Sequence, residues 1–148
     1  MKNAGPIIIV DDDLDGHFLF EEAMMSLGIS NQLIFFDNGL AAYEYLCSDH
    51  QLPSLIICDL HMPLSSGIDF KAQVFDNPTI RSKRIPFLIF TSNITPHDLR
   101  HIYESVVQGI FIKEVDYKKF KDNLKLVIDY WTNCIPANLD KHNGGDTR

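Results

Sequence analysis

The apolar positions of this chain fall into short runs separated by amphipathic stretches. The runs are Pro6-Ile7-Ile8-Ile9-Val10, Leu33-Ile34-Phe35-Phe36, Leu55-Ile56-Ile57-Cys58, Ile85-Pro86-Phe87-Leu88-Ile89-Phe90 and Gly109-Ile110-Phe111-Ile112. Each is strand-sized, rich in β-branched or aromatic residues, and apolar at consecutive positions, as a strand covered on both faces must be. Pro86 lacks an N–H and so belongs at the start of the fourth strand. Between the runs the spacing turns helical. Asp13 or Asp15 can cap a helix carrying Phe20, Ala23, Met24 and Leu27, which Gly28 stops. Ala41 to Cys47 puts Ala42, Tyr43 and Leu46 on one face, and Ser65-Ser66-Gly67 leads into a helix ending near Asn77-Pro78. Thr95-Pro96 opens a fourth helix running to about Val107, with Pro in its first turn. Asp116 to Trp131 forms a fifth, with Phe120, Leu124, Val127, Ile128 and Trp131 in phase. Strand and helix alternating five times predict an α/β fold, a five-stranded parallel sheet with helices on both faces.

Composition narrows the function. The 148 residues suit one domain, taken as 1–134. Residues 135–148, poor in aliphatic side chains, are expected to be a disordered tail. A net charge of −7, from 13 basic and 20 acidic residues, argues against nucleic acid as the main partner. Cys47, Cys58 and Cys134 are odd in number and lack metal-type spacing; Cys47 and Cys58 read as buried thiols of a reducing compartment. No apolar run approaches a membrane span and no signal-peptide pattern opens the chain, so a cytoplasmic location is expected.

In an open parallel sheet, ligands gather outside the carboxyl ends of the strands, so the residues just past each strand carry the most information. The first strand leads into Asp11, Asp12 and Asp13, and the third into Asp59. Thr91, Ser92 and Asn93 come at the end of the fourth, and Lys113 after the fifth. Adjacent carboxylates repel and resist joint ionisation, and a hard cation such as Mg²⁺ relieves the conflict. A solvated acidic loop is the alternative reading of the first cluster. Together, carboxylates, a hydroxyl and an ammonium converging on one edge are far more specific than any part.

In family order these residues resemble the receiver domain of bacterial two-component response regulators. The matching features are the acidic pair, Asp59 ahead of Met62-Pro63, Gly67, Thr91 and Lys113, from about Ile7 to Trp131. The resemblance implies a flavodoxin-like, doubly wound sheet with strand order 2-1-3-4-5. It implies Asp59 as phosphoacceptor, attacking a phosphohistidine on a sensor histidine kinase or phosphotransfer protein. It implies Mg²⁺, or Mn²⁺, held by Asp12, Asp59 and the His61 backbone carbonyl, with Asp11 acting through water. Thr91 and Lys113 would neutralise the incoming phosphoryl group, and His61 and Asn93 would tune autodephosphorylation. The switch positions would be Thr91 and Ile110. The Tyr130-Trp131 ending is similar to regulators paired with phytochrome-type or hybrid kinases. Without an output domain after Trp131, such a chain would signal by docking. It could also form a homodimer through the fourth helix, fifth strand and fifth helix, around Ile102, Ile110 and Tyr117.

Two residues depart from the family pattern. Glu114 replaces the usual proline after the lysine, so the bond before it is expected to be trans unless strained. Ile110 replaces the usual switch aromatic and cannot report by ring rotation. Taken singly, Asp59 could cap a loop, Lys113 could be a solvated lysine and Thr91 a plain strand residue. His17, His50, His97, His101 and His142 share no spacing and read as surface residues. Two other functions compete with this one. A haloacid-dehalogenase-like phosphatase would use Asp11 and Asp13, but leaves Asp59 unexplained and lacks a later acidic pair. A degenerate receiver would bind a partner without phosphorylation.

Overall fold

The structure, a computed structural model, describes residues 5–104 and 107–137. The strands are β1 (Ile7–Val10), β2 (Leu33–Phe36), β3 (Leu55–Cys58), β4 (Phe87–Thr91) and β5 (Gly109–Ile112). The helices are α1 (Leu14–Ser26), α2 (Gly39–Cys47), α3 (Gly67–Asp76), α4 (Pro78–Arg81), α5 (Pro96–Glu104) and α6 (Tyr117–Asn133). All four strand pairings are parallel, in the order β2-β1-β3-β4-β5.

The consecutive apolar runs divide their side chains between two cores. Ile7, Ile9, Leu55, Ile57, Leu88 and Phe90 meet Phe20 and Met24 of α1 and Phe120 and Leu124 of α6. Their alternates, Ile8, Val10, Ile56, Cys58 and Ile89, meet Leu46 of α2, Phe70 of α3, Ile80 of α4 and Ile102 of α5. This period of two with both faces covered is why the strands read as unbroken apolar runs.

The structure departs from the expected elements at some points and adds one at another. The helix expected to stop at Asn77-Pro78 is followed by the one-turn α4. Asn77 accepts from the N–H groups of Thr79 and Ile80, and Pro78 takes the first position, where no donor is needed. The helices after β4 and β5 are therefore the fifth and sixth. Cys47 is exposed, because α2 turns Ala42 and Leu46 inward and leaves its last residue outside. Ile102 is fully buried and cannot lie on a docking surface. The end of α5 beyond Glu104 and the tail beyond Ala137 lie outside the described residues. The α1 boundary follows the sequence: Asp13 caps it, and Gly28, at φ 70°, takes the left-handed position closing it. Its N–H and that of Ile29 reach the carbonyls of Met25 and Met24.

Candidate phosphoacceptor site

Register places the site. Val10 of β1 stands beside Cys58 of β3, so Asp11 and Asp59 leave neighbouring strands at the same level. Three backbone bonds carry the ladder one residue further: Asp11 N–H to Phe36, Asp59 N–H to Val10 and Lys113 N–H to Thr91. The side chains just past the strands are thus held by sheet bonds.

Lys113 sits between the carboxylates. Its Nζ donates to Asp11 Oδ2 at 2.7 Å and to Asp59 Oδ2 at 3.2 Å. The lysine side chain is 11% exposed, and those of Asp11 and Asp59 are 2% and 12% exposed. The reading of Lys113 as a solvated lysine does not hold. Burial, the largest single influence, lowers its pKa. The bond to Asp11 and the charges of Asp11 and Asp59 together outweigh that, leaving it raised. The ion pair therefore stabilises the fold fully below the ordinary lysine value of 10.5 and is lost as pH rises through the higher folded value. Chemical denaturation between about pH 9 and about pH 12 is expected to show a Lys113→Met protein and the native protein converging toward the alkaline end.

Asp11 is enclosed. Its Oδ1 accepts from the Asp13 N–H at 2.9 Å, and a Cβ on Gly16 would stand 2.8 Å from its Oδ2. His17, expected at the surface, is half-buried; its Nε2 reaches the Asp11 carbonyl and its ring stacks on Phe35. Asp13 is spoken for as the α1 cap, accepting from the Asp15 N–H at 3.0 Å. Asp12 is exposed at the rim.

The Asp59 loop is fitted as closely. Asp59 Oδ1 accepts from the His61 N–H at 3.3 Å, and the Cys58 thiol reaches the Asp59 carbonyl at 3.2 Å. Burial, reinforced by the charges of Asp59 and Asp11, pushes that thiol well up, so Cys58 stays protonated and chemically quiet. Gly67 opens α3 against this loop: a Cβ there would meet the Asp59 carbonyl oxygen at 2.4 Å. Because the obstacle is backbone, Gly67→Ala is expected to cost about 1–3 kcal/mol, read by thermal unfolding.

The Thr91 hydroxyl and the His61 ring both find partners other than Asp59. The Thr91 hydroxyl, fully buried, donates to the Asn93 carbonyl at 2.9 Å. The His61 ring projects outward and comes within 3.4 Å of Asp98. Asp98 and Thr95 exchange the reciprocal bonds of a capping box at the start of α5. Bonds from Thr95, chiefly its N–H, hold the Asp98 carboxyl below its ordinary value. Among the described residues no peptide bond is cis, so Glu114 follows Lys113 through a trans bond. Ile110 packs half-buried against the core that contains Ile102.

One oxygen from each of Asp11, Asp12 and Asp59 falls within 4.8 Å of the others, a spacing that suits a small hard cation. Each carboxylate retains lone pairs beyond those Lys113 uses, so the donor set fits such an ion.

A model of the response regulator receiver domain matches residues 7–125. The chain belongs to that family. This receiver domain is 28% identical over 138 residues to the response regulator Rcp1 of Synechocystis sp., covering 88% of this chain and 92% of Rcp1. Over 129 residues it is 26% identical to the probable methanogenesis regulatory protein FilR2 of Methanothrix harundinacea, covering 84% of this chain and 82% of FilR2. The Mn(2+)-bound form of Rcp1 superposes with a TM-score of 0.74 at 26% identity, covering 90% of this chain and 97% of that one. The phosphorylated cyanobacterial phytochrome response regulator RcpA gives 0.76 at 23% identity over 86% and 94% of the two chains, a likeness of fold. The receiver domain is thus a two-component response regulator with an acidic metal-type pocket, and no helix among its described residues is long and apolar enough to cross a membrane.

Proposed function

We propose that Asp59 accepts the phosphoryl group from a sensor histidine kinase or a phosphotransfer protein. The observation that carries this is the buried Lys113 ammonium joining Asp59 to Asp11 beside the exposed Asp12. A carboxylate repels a phosphoryl group, and phosphoryl transfer asks the protein mainly for positioning and charge neutralisation. The Asp59 oxygen forms its bond to phosphorus as the phosphorus–nitrogen bond of the donor histidine breaks. Lys113, already on an Asp59 oxygen, offsets the added negative charge without having to move into place. Asp12, Asp59 and the His61 carbonyl would hold Mg²⁺ or Mn²⁺, with Asp11 acting through water. Bound there, the ion supplies further neutralisation of phosphoryl oxygens.

Thr91 turns from the Asn93 carbonyl to a phosphoryl oxygen once Asp59 is modified. The isoleucine at 110 offers no ring to rotate, so output passes through residues 92–95 into α5. His61 and Asn93 flank the approach of water and tune autodephosphorylation. The modified form, a cytoplasmic switch comprising residues 1–134, binds a downstream protein or a second copy. Leu99, Tyr103, Val115 and Tyr117 of the α5–β5–α6 side are exposed for that contact. The donor we favour is a phytochrome-type or hybrid kinase, from the Tyr130-Trp131 ending of the last helix.

The test is to incubate the protein with acetyl phosphate, with and without Mg²⁺, and map the acyl phosphate by mass spectrometry. Metal-dependent modification of Asp59 is expected. Release of phosphate from general monoesters, dependent on Asp11, would instead indicate a phosphatase. That outcome is disfavoured by the engagement of Asp13 as a helix cap. Absence of any metal-dependent modification would leave a binding module.

A further inference from the structure

At the other end of the sheet, one side chain of α3 is out of keeping with its surroundings. The buried positions of α3 are Gly67, Phe70, Lys71 and Val74, so a lysine occupies the stripe that faces the core. Lys71 is 8% exposed, and its Nζ lies over the rings of Phe75 and Phe87, 5.8 and 5.4 Å from their centroids. No carboxylate or carbonyl among the described residues partners this ammonium. Burial lowers its pKa accordingly.

Lys71 lines a cavity of about 260 Å³ whose walls include Phe75, Ile80 and Ile85. Arg81 and Arg84 also line it, and no acidic side chain among the described residues does. Arg81 lies over the Phe75 ring and donates one bond to the Phe75 carbonyl, leaving guanidinium N–H groups for another acceptor. Ile85 precedes β4 and Gln108, a further wall residue, precedes β5, so the cavity opens away from Asp59. In a chain of net charge −7 such a gathering of cations is local, not part of a general basic surface.

We propose that this cavity binds a small carboxylate with an apolar body. A buried ammonium without a counter-charge is costly, and an anion seated here would supply one. The aliphatic and aromatic walls favour a monoanion over a strongly hydrated phosphate, and a planar guanidinium matches the two carboxylate oxygens. The same chemistry has two sources, a free small molecule and Asp140, three positions beyond the wall residue Ala137 in sequence.

Benzoate titrated into the full chain, followed by the Ile80 and Ile85 methyl resonances, tests this. Saturable shifts are expected in the native protein, with affinity at least tenfold weaker in Lys71→Met. Saturable shifts that emerge only in Asp140→Asn would also support the site and identify the chain's own carboxylate as its occupant. No saturable shift in either protein, or a Lys71→Met protein binding as tightly as its parent, would overturn the proposal. Should Lys71→Met fail to fold, Arg81→Gln takes its place; a several-fold weakening is expected, and unchanged affinity overturns the assignment.

Discussion

Asp59→Asn is expected to reduce phosphoryl uptake from acetyl phosphate to background, at least about a hundredfold, while the protein stays folded. An amide keeps the size of the carboxylate but is no nucleophile toward phosphorus. The shortest bond of the cluster, from Lys113 to Asp11 at 2.7 Å, does not involve Asp59 and is expected to survive the change. The amide also removes one of three crowded negative charges, so the thermal midpoint should shift little, corresponding to within about 1 kcal/mol. Phosphoprotein gels and thermal unfolding on the same preparation separate the two effects. Uptake persisting in the Asn protein would move the acceptor to another acid and remove the basis of the proposed function.

Lys113→Met should damage both chemistry and stability. Methionine keeps the bulk of the lysine stem but leaves Asp11, 2% exposed, and Asp59, 12% exposed, without their shared cation. Breaking a buried pair from one side commonly costs about 3–5 kcal/mol, and the partial exposure of Asp59 brings the expected loss to about 2–3 kcal/mol. Phosphoryl uptake should fall about 10²–10³-fold, as for removal of one preorganised charge-stabilising donor. The two losses can be told apart with divalent ions. With the ammonium gone, Mg²⁺ binds the three carboxylates without competition, and binding to the folded state alone raises stability. Millimolar Mg²⁺ should thus raise the melting temperature of Lys113→Met more than that of the native protein, without restoring the rate. Equal shifts would show that the carboxylates do not form the ion's site.

The strands are legible because the repeated runs are too short for helices, rich in β-branched and aromatic residues, and without a polar alternate. Asp59 and Lys113 emerge from their place after such runs, since topology sets the carboxyl ends of the strands side by side. The features hidden from the sequence depend on a neighbour. The stop signal Asn77-Pro78 is also a start signal, and the packing of Ile80 into the core decides that a turn of helix comes next. The tight fits of Gly16 and Gly67, against the Asp11 carboxylate and the Asp59 carbonyl oxygen, arise only when the chain turns back on itself, and single glycines carry no mark of that. Ile102 reads as a surface position, yet α5 presents its tyrosine and leucine outward while that one apolar residue turns in. Lys71 does carry a signal, standing in phase with Gly67, Phe70 and Val74, where a charge interrupts an otherwise apolar face.

The hydroxyl of Thr91 has a single proton, and in this structure the Asn93 carbonyl has it. Under the proposed function, donation there competes with donation to a phosphoryl oxygen on Asp59 for that one proton. A neutral bond of this kind is worth only about 1 kcal/mol net, so a charged phosphoryl oxygen is the stronger acceptor. On that reading phosphorylation would free the Asn93 carbonyl, and the loop into α5 would lose the tether it has in the resting form.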